Sequence, residues 1–148
     1  MDRKGFLKTC GFACAGGIGL TGILQGCSTT KLFTGKIIAD DLVVPISHFE
    51  TKNGNNTYFK KYIVVQNDIL QYPVCVYRVN ENEYTALWMR CTHQGTELQV
   101  FGDRLQCPAH GSEFDNRGSV KNGPADTQLR TFAVLIEKDQ LKISLKAV

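Results

Sequence analysis

Two short segments, Cys91-Thr92-His93-Gln94-Gly95 and Cys107-Pro108-Ala109-His110-Gly111-Ser112, decide how this 148-residue chain is interpreted. Each segment places a thiol and an imidazole two or three residues apart, and each contains a glycine that suits a tight turn. Thiolate sulfur and imidazole nitrogen are ligands of both zinc and iron–sulfur centres, and two of each make a set of four. The two segments therefore predict a metal centre, with zinc and iron–sulfur both open at this point.

The sequence around these segments has the pattern of a β protein. Residues 97–101, the turn Gly102-Asp103 and residues 104–106 predict a hairpin that brings both segments to one end of a sheet. No stretch after residue 35 keeps an apolar face at helical period for three turns. We therefore expect an all-β sandwich or small barrel of antiparallel strands. The predicted strands are 36–39, 42–46, 58–66, 73–79, 84–90, 97–101, 104–106, 132–137 and 140–145.

The doubled motif resembles that of the Rieske family. The shared pattern is C-x-H-x-G, then C-P-x-H-G-S, then Phe114-Asp115, and finally Gly123-Pro124-Ala125, all within residues 91–125. A single C-x-H carries little information, whereas the doubled pattern followed by the Gly-Pro loop is highly specific. The resemblance implies a Rieske-type antiparallel β-sandwich or small-barrel fold. It also implies a cluster-binding subdomain of two loops that holds one [2Fe–2S] cluster.

The resemblance also assigns the ligands. It gives Cys91 and Cys107 to an inner iron, and His93 and His110 to an outer iron near the surface. Two neutral imidazoles in place of thiolates raise the potential from about −400 mV for plant-type clusters to roughly −150 to +300 mV. Because four protein ligands leave no open position, no small-molecule substrate is expected. We therefore expect an electron-transfer protein or an oxidoreductase subunit, not a stand-alone catalyst.

The segments depart from the high-potential Rieske proteins of quinol-oxidising complexes. Those relatives carry an extra Cys in each loop, joined as a disulfide, where this chain has Thr96 and Ala109. Of two hydroxyl groups that tune their clusters, Ser112 is retained here, whereas Phe114 stands at the Tyr position. Gln94 replaces the Leu of their apolar docking tip. We expect a potential below that of these relatives and above that of all-Cys ferredoxins.

The N-terminus, residues 1–26, is typical of a bacterial signal peptide. A basic start leads into an uncharged, Gly- and Ala-rich stretch that is too short for a spanning helix, and a retained anchor is the alternative. Leu24-Gln25-Gly26-Cys27 resembles a lipobox, which predicts lipid on Cys27 and a lipidated tether over 27–35. Arg3-Lys4-Gly5-Phe6-Leu7-Lys8 resembles the twin-arginine motif with Lys for the second Arg, so the twin-arginine and general routes both stay open.

Composition and cysteine count fit a metal-holding domain over residues 36–148. The chain is 43% hydrophobic and 21% charged, as in globular domains. Its net charge of +3 does not indicate nucleic-acid binding. Of six cysteines, only Cys75, Cys91 and Cys107 follow the lipobox, and three is the wrong number for a disulfide scaffold. Cys75, between apolar neighbours, is predicted to be a core residue.

Together these patterns predict an extracytoplasmic one-electron carrier of the bacterial cell envelope. Lipid at Cys27 would hold it to the membrane, and a redox protein or a membrane complex would be its partner. A free-standing carrier and a subunit of a respiratory, quinol-oxidising-like complex both remain open. The alternative is a lipoprotein interaction module without a redox role, in which the four residues bind structural zinc or the two loop cysteines form a disulfide.

Overall fold

The computed structural model describes residues 30–146, which form fifteen short strands and one turn of 3-10 helix. No helix in this part of the chain has the length and apolar character needed to cross a membrane. The 3-10 helix is Ile46–Phe49. The strands are β1 (Leu32–Thr34), β2 (Lys36–Ile38), β3 (Asp41–Pro45), β4 (Glu50–Asn53), β5 (Asn56–Phe59), β6 (Tyr62–Gln66), β7 (Val74–Asn80), β8 (Glu83–Trp88), β9 (Gln99–Phe101), β10 (Arg104–Gln106), β11 (Glu113–Asp115), β12 (Val120–Asn122), β13 (Thr131–Phe132), β14 (Val134–Glu137) and β15 (Gln140–Ser144).

The strands make three sheets and one separate hairpin, which confirms the all-β prediction. The central sheet has the order β1-β6-β7-β8-β13, and a second sheet has the order β14-β15-β3-β2. The third sheet, β12-β11-β10-β9, carries the two cysteine–histidine segments, while β4 and β5 pair with each other. The strands pair antiparallel except β1, which lies parallel to β6 with Leu32 opposite Val64.

Two hydrophobic cores lie on the two faces of the central sheet. In β6, Ile63 and Val65 belong to the first core and Val64 to the second, so the strand reads as a continuous apolar run. In β7, Val74 and Val76 join the first core, whereas Cys75 joins the second. Cys75 is fully buried, which confirms its predicted core position, and burial raises the pKa of its thiol.

The structure differs from the predicted strands where short or polar stretches pair with distant neighbours. The predicted strand 58–66 is broken at Lys60-Lys61 into β5 and β6, and 132–137 is broken at Ala133 into β13 and β14. Strands β4, β11 and β12 were not predicted, because stretches of three or four residues with charged or polar side chains carry no clear period of two.

Part of the predicted tether over 27–35 lies in the sheet as β1. Leu32–Thr34 pairs with β6, so the sheet begins before residue 36. The ring of Phe33 packs against the first core and stacks on His48, with the ring centroids 4.6 Å apart. This long-range contact holds the segment in the fold although its sequence is mostly polar.

Asp115 organises the turn between β11 and β12. Its Oδ1 accepts the N–H groups of Arg117 and Ser119, each over 2.9 Å, and Lys121 Nζ lies 3.3 Å from Oδ2. Burial raises the pKa of Asp115, but these N–H groups and the lysine outweigh it and leave the pKa below its usual value. The carboxylate is therefore a structural group of the turn.

We expect Asp115→Ala to lower the free energy of unfolding by about 1–2 kcal/mol at pH 7, because two N–H groups lose a charged acceptor. Asp115→Asn keeps an acceptor oxygen and should lose less. Since the folded pKa lies below the unfolded value of about 3.9, the stabilisation is present above that value and disappears as the pH falls through the folded pKa. Urea unfolding between pH 7 and pH 3 measures this; a wild-type-to-alanine difference that stays constant with pH would contradict it.

Candidate metal centre

The two cysteine–histidine segments fold as matching turns at one end of the third sheet. In each turn the Cys N–H donates to the carbonyl oxygen five residues later, over 2.8 Å. The glycine N–H donates back to the Cys carbonyl, over 2.8 Å in the first turn and 2.9 Å in the second. Gly95 and Gly111 have φ values of 74° and 77°, which glycine adopts without steric cost. Each cysteine is thus fixed at both of its backbone groups.

The hairpin of β9 and β10 brings these turns together, as the sequence predicted. Its strands pair with Leu105 opposite Val100 and reverse at Gly102, which has a φ of 63°. An isolated bridge between Arg90 and Glu97 closes the base of the first turn. Because both turns are attached to one short hairpin, their four predicted ligands lie at the same edge of the second core.

The four predicted ligands form a buried pair and an exposed pair. Cys91 and Cys107 are each 1% exposed, and their side chains lie within hydrogen-bonding distance of each other. The rings of His93 and His110 are exposed, with centroids 4.9 Å apart and planes at 88°. The structure therefore places two sulfur atoms in a dry layer and two imidazoles at the surface.

The environment of Cys107 favours its thiolate form. Burial acts to raise the pKa of this thiol, but N–H groups of His110 and Ala109 and the side chains of Cys91 and Thr96 hydrogen-bond to its sulfur. The net effect is a pKa below the usual value. Metal binding requires the thiolate, so a lowered pKa favours binding at this sulfur.

The donor set fits a two-iron cluster. Each iron of a mixed-ligand cluster takes a pair of like donors, and the structure supplies one sulfur pair and one imidazole pair. Within residues 30–146, no group of three or more His, Cys, Asp or Glu side chains is placed to hold one metal ion. Cys91 and Cys107 form one pair of donors, and His93 and His110 form the other.

The other residues singled out in the sequence surround these pairs. Ser112 is fully buried, and its Oγ accepts the N–H of Ala125 over 3.0 Å, which joins the second turn to the Gly-Pro loop. Phe114 is fully buried in the same core as the two cysteines. Gln94 is exposed in the first turn. Cys27, the predicted lipid site, lies outside the described residues.

Two residues whose contacts the sequence analysis missed also hold the first turn. The side chain of Thr96 hydrogen-bonds to the sulfur of Cys107 and so links the two turns. The hydroxyl of Tyr72 donates to the carbonyl of Gly95 over 2.6 Å. In the sequence, Thr96 stands out only as the residue at a position where high-potential relatives have a cysteine. No local pattern indicates the contact of Tyr72, because its partner is 23 residues away.

Comparison with known proteins identifies the family of this domain. A profile of the Rieske [2Fe-2S] domain matches residues 51–133, more than half of the chain. The cytochrome b6-f complex iron-sulfur subunit 2 of Nostoc sp. is 39% identical over 56 residues, which are 36% of this chain and 32% of that protein. The methylxanthine N1-demethylase NdmA of Pseudomonas putida is 43% identical over 47 residues, 30% of this chain and 13% of that enzyme. The chain thus spans about a third of the first relative's length, and less of the second's.

Solved structures show the same architecture. The cyanobacterial plasma membrane Rieske protein PetC3 from Synechocystis PCC 6803 superposes with a TM-score of 0.50 and 28% identity, over 57% of this chain and 86% of that one. The ferredoxin of carbazole 1,9a-dioxygenase from Nocardioides aromaticivorans IC177 shares the fold, with a TM-score of 0.52 and 21% identity over 73% of this chain and all of that one. The chain therefore belongs to the Rieske [2Fe-2S] domain family, whose cofactor is one [2Fe–2S] cluster.

Proposed function

We propose that this protein is an extracytoplasmic, lipid-anchored one-electron carrier in which Cys91, Cys107, His93 and His110 hold the cluster. The observation that carries the proposal is the buried sulfur pair beneath the exposed imidazole pair, on two turns with the same hydrogen bonds. A bound cluster with this ligand set supplies reversible one-electron chemistry at a potential above that of all-Cys clusters.

The protein's own residues set the route of the electron. The two cysteines face the second core, whose apolar side chains exclude water from the sulfur atoms. The two histidines are exposed, so their ring edges are the point where a redox partner approaches closest. Gln94, exposed beside His93, gives this tip a polar surface, which suits a hydrated protein–protein contact better than an apolar docking site. The partner is therefore a redox protein or a membrane complex.

The cell-envelope location rests on separate observations. The lipobox-like Leu24-Gln25-Gly26-Cys27 supports lipid attachment at Cys27. One structural relative is described as a plasma membrane Rieske protein, and several sequence relatives as subunits of the cytochrome b6-f complex. Among the described residues, Cys75, Cys91 and Cys107 are all free thiols, in line with a form that lacks a loop disulfide.

The first test is the metal content of the purified chain. We expect two irons and two acid-labile sulfides per chain and the EPR signal of a mixed-ligand cluster after reduction. Cys91→Ser and His110→Ala should each abolish that signal, because each removes a ligand. Cys75→Ala is the matched control and should keep it, because this cysteine packs in the core and is not a proposed ligand.

Other results would favour the alternative of an interaction module. A colourless protein with one zinc per chain after expression in its native host would indicate a structural zinc site. A disulfide between Cys91 and Cys107 without iron would indicate a covalent cross-link. Either result would contradict the electron carrier.

The second test concerns the missing hydroxyl at Phe114. Phe114→Tyr should raise the midpoint potential by about 40 mV, if the new hydroxyl donates a hydrogen bond of about 1 kcal/mol that favours the reduced state. Redox titration measures this shift. Phe101→Tyr makes the same change at a 69% exposed position on β9 and should leave the potential unchanged. An unchanged potential in Phe114→Tyr would mean that the hydroxyl does not reach a sulfur atom.

The third test concerns the hydrogen bond from Thr96 to the sulfur of Cys107. Thr96→Val keeps the shape of the side chain but removes the donor, so the reduced state loses stabilisation. We expect the midpoint potential to fall by tens of millivolts, about 40 mV per kcal/mol of lost hydrogen bond. Thr96→Ser, which keeps the hydroxyl, should stay near the wild-type value. Equal potentials in the valine and serine variants would contradict this role.

A further inference from the structure

The two cysteine–histidine turns, residues 91–96 and 107–112, are called the ligand turns below. Strand direction places the start of β1 and the ligand turns at opposite ends of the central sheet. Through β6 and β7, Leu32 lies level with Leu87 on β8. From Leu87 the chain continues four residues to Cys91, whereas Thr30 precedes Leu32 by two residues. Since β1 and β8 run in the same direction, these steps add, and at about 3.3 Å per residue the separation along the strands is about 20 Å.

The proposed lipid site is only three residues from Thr30. Three consecutive residues span at most about 11 Å even when fully extended. If Cys27 carries lipid, the end of the domain that contains Thr30 must lie close to the bilayer surface. The ligand turns, at the other end of the sheet, would then point away from it.

The end of the domain around Thr30 is positively charged. A cavity of about 250 Å³ is lined there by Thr30, Lys31, Phe33, Lys60, Lys61, Tyr62 and Ile63. Lys31 and Lys60 hold their ammonium groups 5.2 and 5.0 Å from the centre of the Phe33 ring. Lys60 also donates to the carbonyl of His48 over 3.1 Å. No acidic residue of the described chain lines this cavity, so the ammonium groups are available to an anion.

The β4–β5 hairpin extends this surface. It leaves the fold between Phe49 and Lys60, and all of its strand residues are exposed, including Tyr58 at 55% and Phe59 at 47%. Tyrosine, phenylalanine and lysine are well suited to the membrane–water interface, where an apolar body and a polar or charged end are both accommodated. The acidic residues nearby include Glu50, which is exposed and pairs with Phe59 in this hairpin, Glu81 in the β7–β8 turn and Asp103 in the β9–β10 turn. None of the three lines the cavity.

We propose that this basic face, defined as Lys31, Tyr58, Phe59, Lys60 and Lys61, rests on anionic phospholipid headgroups. The inference rests on the proposed lipid anchor at Cys27 for its geometry, while the charge of the face supports it independently. The cavity would receive a lipid phosphate, and each lysine would strengthen attraction to an anionic surface roughly fivefold. The cluster would face the aqueous side, so its partner is a soluble protein or the projecting domain of a membrane complex.

Tryptophan fluorescence tests the orientation, because the chain contains one tryptophan, Trp88, close to the ligand turns. The full chain is reconstituted in vesicles of phosphatidylglycerol or phosphatidylcholine that contain a lipid with a nitroxide on its headgroup. The variant Trp88→Phe/Tyr58→Trp moves the fluorophore to the basic face. In phosphatidylglycerol, quenching by the nitroxide should be several-fold stronger for this variant than for the wild type. Stronger quenching of Trp88 would overturn the proposal.

Charge variants test whether binding depends on the lysines of the basic face or only on the net charge of the protein. In the Tyr58→Trp background, changing Lys31, Lys60 and Lys61 to Gln should reduce the quenching in phosphatidylglycerol to the level seen in phosphatidylcholine. The control changes Lys36, Lys121 and Lys146 to Gln, with the same change in net charge, and none of these residues lines the cavity. If both triple variants lose the same amount of quenching, net charge and not the basic face causes the binding, and the proposal is overturned.

Two further measurements distinguish a failure of this inference from a failure of the proposed function. Intact mass reports whether Cys27 carries lipid, and iron content reports whether the cluster is present. A chain without lipid on Cys27 would refute the anchor, and lysine-dependent quenching in phosphatidylglycerol would then uphold the basic face by charge alone. A lipidated chain with equal quenching at both tryptophan positions would keep the anchor and overturn the orientation. Iron and sulfide content reports on the electron carrier in every variant.

Discussion

The site depends on one constraint, the meeting of two thiols at the edge of a hydrophobic core. Each thiol is carried by a turn in which the cysteine N–H and carbonyl are both hydrogen-bonded within the turn. The turns are joined by a short hairpin whose Leu105 is fully buried in the same core as Cys91 and Cys107. Packing, turn geometry and thiol position are therefore a single structural unit, and the exposed imidazoles follow from it because each histidine lies in the outer part of its turn.

Side-chain hydrogen bonds hold the two turns to each other and to the neighbouring loop. The Thr96 side chain reaches the sulfur of Cys107, and the Ser112 hydroxyl accepts the N–H of Ala125 from the neighbouring loop. A hydrogen bond to sulfur favours the thiolate, and it would stabilise the added negative charge of a reduced cluster held there. The Thr96 contact would thus serve both the geometry and the redox chemistry of the site, whereas the Ser112 contact serves its geometry.

The domain has two chemically different ends. At one end the ligand turns present two imidazoles and a polar Gln94 to solvent. At the other end, Lys31 and Lys60 lie over the ring of Phe33 and Lys61 lines the same cavity, close to where the described chain begins. The parallel pairing of β1 with β6 sets this polarity, because it fixes the direction in which the chain enters the sheet. The cysteine–histidine turns and the basic face thus lie at opposite ends of the domain.

The sequence by itself determined the candidate ligands, the turn glycines, the hairpin between the turns and the all-β class. These features depend on local chemistry, namely the spacing of Cys and His, the positive φ that glycine allows, and alternating apolar residues. Only the tertiary structure decided that Leu32–Thr34 is a strand, that Lys60-Lys61 divides two strands, and that Thr96 meets Cys107. Such features depend on contacts between residues far apart in the chain, which no local pattern encodes.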